Sequence, residues 1–302
     1  MPLVSSQEWL LKAQKEKFGI GAFNANNMEV VEAVIETAEE EKSPVFLQIS
    51  QGAIKYAGLE MATNMVRTAA ELASIPVILH LDHGTDFKQN VKCLRAGFTS
   101  LMFDGSKLSF EENVKITSKV VEIAHACNIP VEAELGQVAQ SKDKLTLEQI
   151  EALMTQPEEV KKFVELTKCD SLAPAIGSVH AMKTREAKLD IERLKRIRDI
   201  VSIPLVLHGS SGVALDSIRE GIANGICKVN VATQLSMSFI KGCADALKAN
   251  PEEVDIRKIL LPGKQEVKEK VREYIKVFNS SGKGIMPGVK SNLTKSEIKH
   301  HE

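Results

Sequence analysis

The stretch "IPVILHLDHG" at 75–84 and its echo "IPLVLHGSSG" at 203–212 decide how the chain is read. Each leaves an Ile-Pro pair, runs through Val, Ile and Leu as a strand buried on both faces does, and stops on a histidine. After the first histidine comes Leu-Asp-His-Gly and after the second Gly-Ser-Ser-Gly, so both segments deliver polar groups at one end.

Working outward, the same rhythm of short apolar runs and longer amphipathic stretches covers the chain. Candidate strands are "FGIGAF" (18–23), "PVFLQIS" (44–50), "PVILHLD" (76–82), "TSLMFD" (99–104), "IPVEAEL" (129–135), "SLAPAIG" (171–177), "PLVLHG" (204–209) and "ICKVNVA" (226–232). Helical periods follow them, in "MEVVEAVIETAEEEK" (28–42) and near 58–73, 86–96, 110–127, 157–168, 190–200, 214–224 and 233–248. A parallel return needs a crossover, and eight such units point to a closed (β/α)8 TIM barrel of the α/β class. A leading helix opened by a Ser5-x-x-Glu8 capping box and a late helix near 264–278 are expected outside the eight. One domain is expected over 1–284. The Ser-, Gly- and Lys-rich 285–302 reads as a flexible tail. The longest loop, 136–156, follows the fifth strand, where barrels often carry a cover over the active site.

The 302 residues suit one barrel, and 39 Lys plus Arg against 40 Asp plus Glu leave no net field to attract nucleic acid. Five cysteines stand singly without CxxC spacing, which fits reduced thiols in the cytoplasm. The N-terminus lacks the pattern of a secretory signal, and no window is apolar for long enough to span a membrane, so no membrane partner is expected.

In a barrel the chemistry sits at the C-terminal strand ends. Those ends carry Asn24, Ser50, Asp82 with His83, Asp104, Glu134, His180, His208 and the run Asn230–Thr233. His83, His180 and His208, from separate strands, suit a divalent ion with an open position. His80, one strand period before Asp82, reads as a buried structural histidine, and His125 as a bland helical one. The turns "GSSG" and "NVAT" each open a helix after strands seven and eight, where backbone N–H groups can take a phosphate. An ion that polarises a carbonyl, Asp82 as proton carrier and a phosphate grip suggest carbon–carbon bond chemistry beside the carbonyl of a sugar phosphate.

In "GAFNANN", "HLDHG", "GFTSLMFDGS", "VEAELG", "AIGSVH", "PLVLHGSSG" and "KVNVAT", the chain resembles the class II, metal-dependent fructose-bisphosphate and tagatose-bisphosphate aldolases, in their block order from about residue 3 to 284. The resemblance implies Zn2+ or another divalent transition metal on His83, His180 and His208, with Asp104 and Glu134 at a second or displaced metal position. It implies Asp82 as general acid/base at the substrate's C4 oxygen and substrate contacts from Asn24 and Ser50. Gly209, Ser210 and Ser211 with Asn230, Val231, Ala232 and Thr233 would hold the dihydroxyacetone-phosphate half. A Na+ or K+ ion and a homodimer or homotetramer are also implied.

The chain departs from the family in two loops. Lys142 stands where the family's mobile loop has its catalytic glutamate, leaving Asp143 next to it as the substitute base. Ala181 replaces a glycine facing the phosphate, while Lys183 and Arg185 add charge. Two readings accommodate these changes: an aldolase whose Lys142, Lys183 and Arg185 meet a distal anionic group, or a sugar-phosphate-binding paralogue without aldol chemistry.

Overall fold

The computed structural model describes residues 3–140, 146–180, 182 and 184–293. Its strands are β1 (Ile20–Asn24), β2 (Val45–Ser50), β3 (Val77–Asp82), β4 (Leu101–Phe103), β5 (Val131–Leu135), β6 (Ala139–Gln140), β7 (Ser171–Pro174), β8 (Val179–His180), β9 (Leu205–Leu207) and β10 (Ile226–Val231). Helices α1 (Ser6–Glu16), α2 (Met28–Glu41), α3 (Gln51–Ala57), α4 (Leu59–Leu72), α5 (Phe87–Ala96) and α6 (Phe110–His125) fall in the first half. The second half adds α7 (Leu147–Leu153), α8 (Pro157–Thr167), α9 (Ile191–Ile200), α10 (Leu215–Ala223), α11 (Thr233–Ala249) and α12 (Ile256–Val277).

Eight strands form one parallel sheet in the order β3-β2-β1-β10-β9-β7-β5-β4. Its outer members meet as well: His80 and Ser100 form a parallel bridge, and Leu81 N–H donates to the Ser100 carbonyl at 3.1 Å. That contact closes the ring into the expected (β/α)8 barrel. β6 and β8 pair with each other, Gln140 opposite His180, above the ends of β5 and β7.

Strand alternation then sorts the side chains. Val77, Leu79 and Leu81 join the apolar layer between barrel and helices. Ile78, His80 and Asp82 alternate with them and face the barrel axis. At the bottom, Ile78, Phe46, Ile20 and Ala22 pack with Trp9, Leu10 and Ala13 of α1, so the extra N-terminal helix plugs the floor. Above this apolar layer every inward position discussed below is polar.

Local differences from the sequence reading have local causes. Ser5 caps α1 by accepting from Gln7 N–H at 3.4 Å, so the cap closes on Gln7 and not on Glu8. The loop 136–156 contains α7, whose own capping box joins Thr146 and Gln149. The last helix starts earlier than expected, because Asp255 caps it through Arg257 N–H. Up to Leu293 the C-terminal stretch lies on the barrel: Asn292 N–H donates to the Leu72 carbonyl at 2.8 Å and Leu293 packs on the core. Among the described residues no helix is long and apolar enough to cross a membrane.

α11, which starts at the site, is held by α12 through a glycine contact. A Cβ on Gly242 would stand 2.5 Å from the Pro262 carbonyl oxygen and 2.8 Å from the Gly263 Cα. Backbone cannot rotate aside as a side chain can. Gly242→Ala gains up to about 1 kcal/mol of helix propensity but incurs overpacking of about 1–3 kcal/mol. We expect a net loss of about 1–2 kcal/mol in denaturant unfolding. An unchanged or higher midpoint would show that the two helices part freely.

Candidate active site

The strand ends meet over a cavity of about 680 Å³ whose lining includes Ser50, Asp82, His83, Asp104, Glu134 and His180. A smaller recess of about 110 Å³ shares Asp82, His83 and His180 and adds Asn24, Gly209–Ser211, Asn230 and Ala232; Thr233 belongs to both. Most of the residues read from the sequence are therefore brought together.

Asp82 and His83 are neighbours, and alternation alone would send His83 outward if Asp82 faces in. The chain solves this with a left-handed residue: His83 has φ +49°. That conformation costs a non-glycine residue roughly 1–2 kcal/mol and turns its imidazole back over the mouth. Gly84 completes the turn, since a Cβ there would lie 2.5 Å from the Met102 carbonyl oxygen.

The His83 ring lies 4.7 Å from that of His208 and 5.4 Å from that of His180, and the last two are 6.5 Å apart. His83 Nδ1 is 2.8 Å from Asp104 Oδ2 and 3.8 Å from Glu134 Oε2. His208 Nδ1 is 2.8 Å from the same Glu134 oxygen, while its Nε2 is 2.8 Å from Glu132 Oε1. Ligand atoms of His83, Glu134 and His208 all lie within 4.8 Å of one another. Two imidazoles and a carboxylate converging on one point, with a third ring alongside, fit a divalent transition ion. Glu134, expected at a second metal position, belongs to this first cluster.

Charge in the site follows from geometry. Burial disfavours a proton on His83, yet Asp82, the bond to Asp104 and Glu134 outweigh it and raise its pKa to about 10. His208 is also raised: burial opposes its charge, but bonds to Glu132 and Glu134 prevail. Among the described residues His180 has no such partner, and burial together with the charges of His83 and His208 lowers it to about 3. Burial raises Asp104, but its hydrogen bond to His83 and the charge there hold it well below the usual carboxylate range. Both shifts favour positive charge at His83 and His208, among carboxylates, at the place a bound cation would take.

Asp82 is 5% exposed. Burial pushes its carboxyl up, but the His83 charge and the bond from Asn24 bring it below the usual value. Asn24 Nδ2 donates to Oδ2 at 2.8 Å and Asn230 Nδ2 to Oδ1 at 3.2 Å. A carboxylate only accepts, so both amides must turn their nitrogens to it. Asn24 Oδ1 then accepts from Gln48 Nε2 at 2.8 Å. This leaves Gln48 Oε1 and Asn230 Oδ1 buried without a partner beside the smaller recess. Two such acceptors suit hydroxyl donors of a ligand.

At the recess, Gly209 has φ +66° and Ser210–Gly212 form a short 3₁₀ turn. The Ser210 hydroxyl donates to the Asn230 carbonyl, and Gln234 Nε2 to the Ser211 carbonyl at 3.1 Å. These bonds stitch the glycine turn to the first turn of α11, whose free N–H groups and positive end suit an anion. Val231 can contribute only backbone, since its side chain is packed into the outer core. Ser50 lines the larger cavity and caps α3 through Ala53 N–H at 3.2 Å.

Arg185 is placed otherwise than expected. Its guanidinium donates to Glu273 Oε1 at 2.9 Å and to the Tyr274 hydroxyl at 3.0 Å, which commits it to α12 in place of a substrate anion. Lys142, Asp143, Ala181 and Lys183 lie outside the described residues. His80 is the buried structural histidine anticipated, bonded to Ser100 Oγ at 2.8 Å. His125 pairs with Asp170 at the end of α6. Gln48, Glu132 and Lys228 were not singled out from the sequence. The available signal was alternation: each stands two residues before a site residue on its own strand, Ser50, Glu134 and Asn230.

A closed barrel with histidines and carboxylates clustered over an anion recess defines a metal-dependent (β/α)8 enzyme. The chain belongs to the class II fructose-bisphosphate aldolase family, whose model, "Fructose-bisphosphate aldolase class-II", matches residues 4–283. It is 42% identical to a fructose-bisphosphate aldolase of Helicobacter pylori, over 93% of this chain and 99% of that one. It is 43% identical to one of Geobacillus stearothermophilus, over 94% and 99%. The crystal structure of the YdjI aldolase from Escherichia coli K12 superposes with a TM-score of 0.81 at 36% identity, covering 93% of this chain and 99% of that one. The family is metal-dependent and acts on phosphorylated sugars, and the chain is a carbon–carbon lyase that cleaves a ketose bisphosphate.

Proposed function

We propose that this chain reversibly cleaves fructose-1,6-bisphosphate, or its tagatose counterpart, to dihydroxyacetone phosphate and an aldehyde, with zinc as its metal. The observation that carries the reading is the Asp82 carboxyl held by Asn24 and Asn230 beside three imidazoles. His83, His180 and His208 would hold the ion, with Glu134 and Asp104 as neighbouring donors. When bound, the ion supplies a Lewis acid at the substrate carbonyl, where negative charge develops.

The protein's own groups do the rest. Asp82 takes the proton of the C4 hydroxyl as the carbon–carbon bond breaks and returns it in the synthetic direction. The glycine turn at 209–211 and the start of α11 bind the phosphate of the dihydroxyacetone half and fix the carbonyl above the histidines. Gln48 Oε1 and Asn230 Oδ1 accept from substrate hydroxyls. Asp143 moves the proton at the dihydroxyacetone-phosphate carbon, Lys142 and Lys183 meet the distal anionic group, and a Na+ or K+ ion accompanies the phosphate near Ala181. The enzyme works as a homodimer or homotetramer in the cytoplasm, where its five singly spaced cysteines would stay reduced. Residues 1–284 act as its single domain.

Aldol cleavage should be measured on both bisphosphates before and after chelation. Activity is expected to vanish with the metal and return on adding zinc. Full activity after verified metal removal would exclude the mechanism, and no cleavage by the zinc-loaded protein would exclude the activity.

A further inference from the structure

Beneath the site lies a charged group that neither substrate nor solvent can reach. Glu132 is 2% exposed and Lys228 0%, yet Lys228 Nζ donates to both Glu132 oxygens, at 2.9 and 3.2 Å. Lys228 also donates to His80 Nε2 at 3.3 Å, so His80 must present Nδ1–H to Ser100 Oγ, 2.8 Å away. Ser100 in turn accepts from the Ser6 hydroxyl of α1 at 3.0 Å. The Lys228 ammonium stands 5.5 Å from the Phe46 ring centroid. From α1 upward, each member thus fixes the next.

A buried ion pair is a poor source of stability, since well-packed apolar residues of similar volume serve as well or better. Its position explains it better. The upper end of the group is His208 Nε2, 2.8 Å from Glu132 Oε1. Both ring nitrogens face an acceptor-only carboxylate at 2.8 Å, but with a cation held among His83, Glu134 and His208 the single N–H of a neutral imidazole falls to Nε2 and Glu132. The lone pair is then left on Nδ1, the nitrogen that faces Glu134 and the His83 cluster.

We propose that Glu132 and Lys228 are positioning residues for the metal: Glu132 fixes the tautomer and ring orientation of His208, and Lys228 keeps Glu132 aimed at His208. The proposal rests on the reading of His208 as a metal ligand. Lys228 has a second consequence: its three protons, spent on Glu132 and His80, leave the carboxylate no freedom to swing up and bind the ion itself. A carboxylate behind a metal-bound imidazole is a recognised means of tuning affinity, and its loss typically weakens binding about 10–100-fold.

The test is made on the whole protein with zinc and cobalt as probes. Zinc affinity is read by competition with a chromophoric chelator, and ligand geometry from the visible absorption of the cobalt form. In Glu132→Gln we expect zinc to bind about 10–100-fold more weakly and the cobalt bands to change in position or intensity. Parental affinity with a parental cobalt spectrum, in protein whose metal-free unfolding curve shows it folded, overturns the proposal. Should Glu132→Gln fail to fold with Lys228 left uncompensated, the double variant Glu132→Gln/Lys228→Met removes both charges at similar volume. The same loss of affinity is expected of it. Parental binding by the double variant overturns the proposal, and so does its failure to fold, because the pair would then be a requirement of the barrel itself. A parental protein that binds neither ion would instead overturn the metal reading from which the proposal starts.

Discussion

Asp82→Asn should lower kcat by about 10²–10⁴-fold, the range expected when a positioned acid/base is removed, while metal content stays at the parental level. The substitution keeps the volume and deletes the group that carries the C4 proton. It also disturbs the amides around it. Asn24 and Asn230 both present N–H to position 82, from 2.8 and 3.2 Å. An asparagine there offers one acceptor oxygen and one donor nitrogen, so one of the two amides must turn or lose its bond. If Asn24 turns, its oxygen leaves Gln48 Nε2, and the dipole order reaching Gln48 is lost. KM is therefore expected to rise too, since Gln48 Oε1 and Asn230 Oδ1 are the proposed hydroxyl acceptors. Steady-state kinetics on the preferred bisphosphate decide the matter. A parental kcat in the asparagine variant would remove Asp82 from the chemistry.

The barrel was legible because its signal is repeated. Eight apolar runs separated by amphipathic stretches admit few arrangements, and strands such as "VILHLD" and "ICKVNV" are buried along their whole length. The upper ring of the site was legible for a related reason: residues at strand ends are where a barrel's chemistry must be. The layer below was not. Glu132, Lys228 and Gln48 occupy strand interiors, where a polar residue in one sequence cannot be told from an outward-facing one until the inward register is fixed. Once Asp82, Glu134 and Asn230 are known to face the axis, the period of two places His80, Glu132 and Lys228 there as well. Arg185 was misjudged because its nearness in sequence to His180 says nothing of Glu273 and Tyr274, which are 88 and 89 residues away. His83 shows the opposite limit: alternation would have placed it outside, and only its left-handed backbone returns it to the site.

His208→Ala should cost more than any other single change among the three histidines, and comparison with His180→Ala explains why. His180 is half-buried, keeps no proton near neutral pH and pairs with no carboxylate among the described residues, so its contribution is a lone pair toward the ion. Removing it should weaken zinc binding by about 10²-fold or more, by analogy with the roughly 3–5 kcal/mol lost when one partner of a buried charged contact is deleted. The metal-free protein should unfold at the parental denaturant concentration. His208, 1% exposed, also stands between two buried carboxylates at 2.8 Å. Alanine leaves Glu134 with only the longer 3.8 Å contact to His83, and Glu132 with Lys228 and the 3.8 Å contact to His80, beside a cavity the size of an imidazole. Zinc binding and cleavage should fall at least as far as in His180→Ala, and the metal-free protein should in addition lose about 2–4 kcal/mol of stability. Chelator competition and denaturant unfolding of the two variants separate these terms. Equal unfolding midpoints for His208→Ala and the parent would mean that Glu132 and Glu134 are satisfied without the ring, and that His208, like His180, contributes to the ion alone.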